Sequence, residues 1–282
     1  MPSASVSSAF VEVADGIHVL RYPVLDVNAT LIVGGEVAVV VDTLSTEQQG
    51  RELLAAVRSI TTRPLIAVNT HHHFDHTFGN GVLGEDVPGF TVWAHEAAAA
   101  ALRDHGTLWQ RQWYDECLET APELAEAVGR TAIRPPDRFI KVESTMDIGG
   151  RTLELRHLGR GHTDGDLVVL VPDAGVLLAG DLLEEGSPPS FEDAYPIEWP
   201  ETVTALLHFG ADATVVVPGH GAPVTLDYAR AQHSELTRLA WLIREGHYDG
   251  ADQKSVAAKA PFGLAAATVA VARGYAELDG YA

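Results

Sequence analysis

The chain has 282 residues, of which 46% are hydrophobic and 21% are charged. A chain of this size buries roughly 70–75% of the surface that it exposes when unfolded, which is enough for one large core or two small ones. The composition excludes intrinsic disorder, collagen-like repeats and coiled coils. No apolar run approaches the roughly 20 residues that a membrane-spanning helix needs.

The formal net charge is −20, so most of the surface would repel a phosphate backbone and we expect no nucleic-acid partner. The single cysteine, Cys117, has no second cysteine with which to form a disulfide or a thiolate metal cluster. The first residues, MPSASVSSAFVEVADG, contain neither basic residues nor the apolar stretch of a signal peptide. We therefore expect a cytoplasmic protein that does not bind membranes.

The first third of the chain is predicted to form strands and one helix. Strands are predicted at residues 17–22, 29–33 and 37–41. An amphipathic helix is predicted over residues 45–60, where apolar residues recur at helical spacing and Ser45 with Gln48 forms a capping box. A buried strand at 64–69 then ends in a histidine-rich segment.

The middle of the chain begins with a predicted strand at 90–93 and predicted helices at 95–103 and 107–128. The second of these helices brings Trp109, Trp113 and Tyr114 together, either as core packing or as a lid over a pocket. Further strands are predicted at 152–157, 166–171 and 176–179, the last ending on Gly180-Asp181.

The last third is predicted to contain a polar and aromatic loop, a strand and several helices. The predicted elements are the loop 184–199, a helix at 200–209, a strand at 213–217, a helix at 226–244 with Gly246 as its stop signal, and a helical tail at 251–278 broken at Pro261. The alanine-rich stretch 257–276 could supply the surface of a homodimer. Two sheets packed face to face, with helices outside each, would account for this order.

The segment Thr70-His71-His72-His73-Phe74-Asp75-His76 carries the strongest chemical signal. His71 and His73 lie two residues apart, so in extended backbone they point to the same side, and Asp75 and His76 follow on a turn. His72 points away from them, which favours a packing role. Asp42 ends an apolar strand and is expected either to bond the ligand loop or to cap a turn.

Three more polar residues lie at strand ends or in the loops beside them: His162, Asp181 and His220. Ligands converge in the crevice that such strand ends form. Imidazole and carboxylate groups suit zinc and other borderline divalent metals. Two divalent ions would remove the repulsion within such a cluster, and their positive charge would stabilise the negative charge that develops on an ester, lactone or amide oxygen.

This series of residues resembles the metallo-β-lactamase superfamily over about residues 10–222. The resemblance implies an α+β fold, a four-layer αββα sandwich of two mixed β-sheets flanked by helices, with residues 223–282 as a helical extension packed on the same domain. It also implies two Zn²⁺ ions, or alternatively Fe or Mn. The implied ligands are His71, His73 and His162 for one ion, Asp75, His76 and His220 for the other, and Asp181 as the bridge.

The resemblance further implies a small-molecule substrate. A metal-bridging hydroxide would attack an ester, thioester, lactone or amide, and Asp75 would act as the catalytic residue that orients the nucleophile and passes a proton to the leaving group. Phe191, Tyr195 and Trp199 are the candidate substrate-binding residues, although their loop could equally pack on its own body. Either this loop or the 109–114 region would cover the site.

The sequence departs from the specialised branches of this superfamily. The best-known zinc β-lactamases carry a cysteine at the position of Asp181 and a lysine at that of Glu184, and the tyrosine of acyl-homoserine lactonases is not matched by Leu182, Leu183 or Glu184. The basic glutathione-binding residues of glyoxalase-II-like thioesterases are not recognisable. An iron-dependent, oxygen-using enzyme of the persulfide-dioxygenase type, a true β-lactamase and a metal-loaded binding protein remain as alternatives.

Overall fold

The computed structural model describes residues 9–281, with the backbone alone at positions 119 and 120. Its Cα positions divide the chain into two compact units, and the boundary falls between Glu154 and Leu155. The prediction that residues 1–16 contain no signal peptide falls partly on residues 1–8, which lie outside the described residues. The division into residues 10–222 and an extension at 223–282 stays a prediction.

The first unit combines one sheet with helices. Its elements are β1 (Val11–Ala14), β2 (Ile17–Tyr22), β3 (Val27–Val33), β4 (Ala38–Val41), α1 (Glu47–Ile60), β5 (Leu65–Val68), α2 (Phe74–Thr77), α3 (Asn80–Asp86), β6 (Val92–His95), α4 (Glu96–Thr120), α5 (Pro122–Arg130), β7 (Arg138–Ile140) and β8 (Glu143–Asp147), with β9 (Thr152–Arg156) crossing the boundary. Strands β1 to β7 lie side by side in the sheet, in the same order as along the chain.

The sheet of the first unit is mixed. Pairs from β1 to β4 are antiparallel, and pairs from β4 to β7 are parallel. Because parallel strands end at the same edge, the segments that follow β4 and β5 begin side by side. The Asp42 N–H donates to the Val68 carbonyl at 2.9 Å across this edge. The sheet therefore brings Asp42 next to the start of the histidine-rich segment.

Two apolar clusters stabilise the first unit. Helix α1 turns Leu53 and Val57, both fully buried, onto the sheet, where they join Leu31 and Val40. A second cluster, which includes Phe78, packs against α4 and α5. Each fully buried side chain of this kind contributes roughly 1.5–3 kcal/mol through removal of apolar surface from water.

The second unit also combines a mixed sheet with helices. Its elements are β10 (Val168–Val171), a 3₁₀ turn (Pro172–Ala174), β11 (Val176–Glu184), α6 (Trp199–Phe209), β12 (Val215–His220), α7 (Leu226–Tyr248), α8 (Gln253–Ala257) and α9 (Leu264–Leu278). Strand β11 pairs antiparallel with β10 and parallel with β12. It is buried along its whole length, and its core neighbours include Trp199, Leu236 and Ile243. Mixed sheets with helices in both units confirm the predicted α+β class.

The structure corrects two helix boundaries in the first unit. Helix α1 begins at Glu47 and its N-cap is Thr46, whose hydroxyl accepts from the Gln49 N–H, so the predicted cap at Ser45 was wrong by one residue. The stretches predicted as separate helices at 95–103 and 107–128 form α4, which continues through Gly106, and α5, which starts at Pro122. Pro122 ends α4 because a proline disfavours helical backbone in the residue before it.

Two boundaries differ in the second unit. Strand β11 extends to Glu184, five residues beyond its predicted end, because its continuation stays buried and pairs with His220. Helix α7 continues through Gly246 to Tyr248. A Cβ at Gly246 would lie 2.4 Å from a methyl of Val256, so this glycine allows close helix packing and does not stop the helix. No helix within residues 9–281 has the length and apolar character needed to cross a bilayer.

Candidate metal centre

The first unit carries a group of four predicted ligands, His71, His73, Asp75 and His76, which we call the first ligand group; all are buried except His73, which is half-buried. His71 and His76 are almost fully buried, and Asp75 is 8% exposed. The ring centroid of His71 lies 4.7 Å from that of His73 and 4.3 Å from that of His76. An Asp75 Oδ2 atom lies 3.7 Å from His76 Nε2. The histidine-rich segment therefore brings its four ligands together within this unit.

Asp42 orients this segment. Its carboxylate accepts hydrogen bonds at 2.8 Å from the Thr70 N–H, from the Thr70 hydroxyl and from His76 Nδ1. His71 Nδ1 in turn lies 3.0 Å from the Thr70 hydroxyl oxygen, whose own proton goes to Asp42, so His71 donates this bond. Both imidazoles then carry their proton on Nδ1 and present the Nε2 lone pair. Of the two roles considered for Asp42, the structure shows the bond to the ligand loop.

The backbone of Asp42 is strained, and its side chain is buried. Its backbone φ is +63°, in the left-handed region that aspartate tolerates better than most residues. Burial raises the pKa of the Asp42 carboxyl, while the charge and hydrogen bond of His76 and the hydrogen bonds of Thr70 oppose that shift. The carboxylate is thus stable in this position because of the donors around it.

A network of amide and hydroxyl side chains lies beside the first ligand group. The His76 carbonyl accepts from the Thr43 N–H at 2.9 Å and from Asn69 Nδ2 at 3.0 Å. Asn80 Nδ2 donates to Asn69 Oδ1 at 2.8 Å. Sequence reasoning assigned no role to Thr70, Asn69 and Asn80, and the available signal was that Thr70 lies within the histidine-rich segment and both asparagines lie near its ends.

The aromatic side chains of α4 pack on the same segment. The ring centroid of Trp109 lies 4.5 Å from that of His72, and the Trp113 ring lies 5.3 Å from Phe74 and 6.0 Å from His73. His72 therefore has the packing role expected of it. Within the first unit, the helix predicted as core or lid covers one side of the ligand segment.

The second unit carries His162, Asp181 and His220, which we call the second ligand group. Parallel pairing of β11 with β12 brings Asp181 and His220 together, and His162 comes from the loop before β10. Asp181 Oδ2 lies 3.4 Å from His162 Nε2 and 3.3 Å from His220 Nε2. Two atoms bound to one zinc at about 2.0–2.1 Å in a tetrahedron lie about 3.3 Å apart, so these distances fit shared metal ions.

Gly219 makes this arrangement possible. A Cβ at this position would lie 1.7 Å from Asp181 Oδ1, so any side chain here would displace the carboxylate. The motif Pro218-Gly219-His220-Gly221 was visible in the sequence, but the close approach of Asp181 depends on the strand pairing.

The loop that carries His162 is held by Asp166. Its carboxyl oxygens accept from the Thr163 N–H at 3.1 and 3.0 Å and from the Thr163 hydroxyl at 2.7 Å. Burial raises the pKa of Asp166 to about 8, the Thr163 donors oppose the shift, and the Asp181 and Asp193 carboxylates add to it. Asp166 is a further residue that sequence reasoning missed.

The three candidate substrate-binding residues lie in the second unit. Phe191 and Trp199 are 1% and 0% exposed, and their rings pack against each other with centroids 5.3 Å apart. Tyr195 is half-buried, with the Arg160 guanidinium 4.2 Å from its ring centroid. Tyr195 is thus the candidate that keeps exposed surface, and substrate contact by this loop stays a prediction.

The donor chemistry of both groups fits a divalent metal. Each offers imidazole nitrogens and carboxylate oxygens, the ligand types that zinc and similar ions prefer. In the second unit His162 Nδ1 lies 3.3 Å from the Ser190 carbonyl oxygen, which leaves its Nε2 facing Asp181. His95, a histidine without ligand spacing, has a structural partner, since its Nε2 lies 3.0 Å from the Lys141 carbonyl oxygen.

Comparison with known proteins gives one family. The model of the metallo-beta-lactamase superfamily matches residues 22–220. An acyl-coenzyme A thioesterase of Gallus gallus is 30% identical over 138 residues, which are 48% of this chain and 47% of that protein. A linear primary-alkylsulfatase of Pseudomonas sp. is 28% identical over 240 residues, 74% of this chain and 43% of that protein. The chain thus spans less than half the length of these curated relatives.

The solved structures show the same fold. The mono-zinc form of the FIM-1 metallo-beta-lactamase from Pseudomonas aeruginosa aligns with a TM-score of 0.65 and 19% identity, over 83% of this chain and 97% of that one. The fold class predicted from the sequence is confirmed. The His and Asp groups of the chain could hold metal ions. The chain belongs to the metallo-beta-lactamase superfamily.

Proposed function

We propose that the chain is a zinc-dependent hydrolase whose two ligand groups act together as one dinuclear centre. The assignment follows the superfamily pattern. One ion would be held by His71, His73 and His162, the other by Asp75, His76 and His220, and Asp181 would bridge them. Zinc is the metal of choice because imidazole and carboxylate ligands with an open position are typical of catalytic zinc sites.

The observation that carries this proposal is the way the imidazoles are anchored. The Nδ1 atoms of His71, His76 and His162 face the Thr70 hydroxyl, the Asp42 carboxylate and the Ser190 carbonyl oxygen, respectively. Anchoring one ring nitrogen by an oxygen partner is the usual second contact of a metal-binding histidine, and it fixes the orientation of the other nitrogen. Histidines that only pack in a core do not need three matching anchors.

Bound zinc ions would supply a water that ionises near neutral pH and a positive charge that polarises the substrate carbonyl. Asp75 lies in the first turn of α2 and is 8% exposed, so its carboxylate can reach both the site and a substrate proton. We assign to Asp75 the proton taken from the attacking water and returned to the leaving oxygen, sulfur or nitrogen. The new carbon–oxygen bond forms at the acyl carbon first, and the bond from that carbon to the leaving atom breaks afterwards, when the leaving atom takes the proton from Asp75.

The proposed substrate is a small ester, thioester, lactone or amide. The thioester class is supported by the name of the 30% identical relative, an acyl-coenzyme A thioesterase. Asp181 and Glu184 replace the cysteine and lysine of the best-known zinc β-lactamases, which argues against a dedicated β-lactamase.

The test compares Asp181→Ala with His233→Ala on a panel of esters, thioesters, lactones and β-lactams. Loss of a residue that only supports a ligand typically costs 10–100-fold, so removing the bridge itself should lower turnover by more than about 100-fold. His233 belongs to neither ligand group, and its Nε2 lies 2.9 Å from the Thr204 hydroxyl oxygen, so its variant should keep wild-type turnover. A zinc-loaded wild type without activity on any substrate class would refute the proposal.

A further inference from the structure

Two side chains of helix α7 form hydrogen bonds with the backbone of the strand that carries Asp181. Tyr228 and Gln232 lie four residues apart, on one face of the helix. The Tyr228 hydroxyl donates to the Glu184 carbonyl at 2.7 Å, and Gln232 Oε1 accepts from the Glu184 N–H at 3.1 Å. Gln232 Nε2 also donates to the Leu182 carbonyl at 3.1 Å. The backbone at the end of β11 is therefore fixed by side chains of α7.

The Glu184 side chain extends this contact to the next loop. Its residue is 6% exposed, and its Oε1 atom accepts from the Ser190 N–H at 3.1 Å. On the other side of Ser190, the carbonyl oxygen lies 3.3 Å from His162 Nδ1. The position of Ser190 is thus set by a buried carboxylate on one side, and it sets the ring of a predicted metal ligand on the other.

We propose that Glu184 is a positioning residue for His162, and that Tyr228, Gln232, Glu184 and Ser190 form a positioning chain from helix α7 to the second ligand group. The proposal rests on the proposed function, because it assigns His162 to a metal. Its consequence is that a carboxylate without contact to the ion controls how firmly one ion is held. The hydrogen-bond acceptor Oε1, rather than the charge of Glu184, fixes Ser190 and through it the ring of His162.

The surroundings of Glu184 make the chain testable by substitution. A cavity of about 200 Å³ lies beside it, lined also by Tyr228, Gln232, Glu235 and Phe262. Glu184→Met keeps most of the side-chain volume and removes the acceptor, whereas Glu184→Gln keeps an acceptor and removes the charge. Glu235→Ala is the matched control, because Glu235 lines the same cavity and makes no hydrogen bond to Ser190 among the described residues.

The first readout is zinc affinity of the full chain, measured by competition with a chromophoric chelator. Outer partners of metal-binding histidines typically change metal affinity by 10–100-fold, so Glu184→Met should bind one of its ions that much more weakly. Glu184→Gln and Glu235→Ala should stay close to wild type. If Glu184→Gln weakened binding as much as Glu184→Met, the hydrogen-bond assignment would be wrong.

The second readout does not depend on metal. In chelator-treated protein at alkaline pH, nitrogen NMR of the His162 ring should show the proton on Nδ1 in the wild type and a mixture of tautomers in Glu184→Met. Wild-type tautomer together with wild-type zinc affinity in Glu184→Met would overturn the positioning chain. If the wild type bound no zinc and Glu184→Met still changed the His162 tautomer, the proposed function would be refuted and the positioning chain would be retained.

Discussion

Replacement of Asp42 by alanine tests how the first ligand group is held. The Asp42 carboxylate is 3% exposed and accepts three hydrogen bonds of 2.8 Å, two from Thr70 and one from His76. Asp42→Ala leaves three buried donors without this acceptor, and each such donor costs roughly 1–3 kcal/mol. Burial raises the pKa of Asp42, so the charged carboxylate itself carries a desolvation cost that offsets part of this loss. We expect the free energy of unfolding to fall by about 3 kcal/mol.

The assay is urea unfolding of chelator-treated protein, followed by a zinc titration of the folded variant. The zinc affinity should fall by about 10–100-fold, because His76 loses the partner of its Nδ1 proton and the Thr70 hydroxyl, which bonds His71 Nδ1, loses the acceptor that orients it. Asp15→Ala is the control, since Asp15 is fully exposed and contacts Arg151 at 3.5 Å, and it should leave both quantities unchanged. Equal unfolding curves for Asp42→Ala and Asp15→Ala would refute the role given to Asp42.

Three further predictions follow from single contacts. Burial raises the pKa of Asp166 to about 8, so the folded state keeps a proton that the unfolded state releases near pH 4. The contribution of Asp166 to the free energy of unfolding should therefore fall between about pH 4 and pH 8. Thermal unfolding of chelator-treated Asp166→Asn should lack this part of the pH dependence. Gly219→Ala should lower zinc content, measured by elemental analysis, because its Cβ would overlap the Asp181 carboxylate. Thr46→Ala should lower the free energy of unfolding by about 1 kcal/mol while Ser45→Ala costs less, which chemical denaturation can resolve.

The candidate ligands could be predicted because their signal is local. His71, His73, Asp75 and His76 lie within six residues, and a motif this dense is visible without any knowledge of the sheet. The α+β class was also predictable, because the predicted strands come in runs, such as 17–22, 29–33 and 37–41, with helices between the runs.

The supporting residues could not be predicted in the same way. The bonds of Asp42 to Thr70 depend on pairing between β4 and β5, and the approach of Gly219 to Asp181 depends on pairing between β11 and β12. Neither pairing can be read from one short segment. Adjacent capping residues pose a smaller problem of the same kind, since serine and threonine both favour the N-cap position and the packing of α1 selects Thr46 over Ser45.

The aromatic loop shows why burial is hard to infer from composition. Phe191 and Trp199 lie in a polar stretch, for which a pocket wall and a loop packed on its own body were equal predictions. In the structure Phe191 also contacts Phe262, 71 positions further along the chain, with ring centroids 5.8 Å apart. A distant segment of the chain therefore helps to cover this ring, together with Trp199.

The most direct test of a dinuclear zinc centre is elemental analysis of the protein purified without added metal, expressed as moles of zinc and iron per chain. Seven histidine and aspartate ligands in two groups predict close to two zinc ions per chain. One or two iron ions would instead contradict the zinc assignment and favour the oxygen-using alternative, and a protein that neither contains nor binds zinc when the metal is supplied would contradict the metal centre itself.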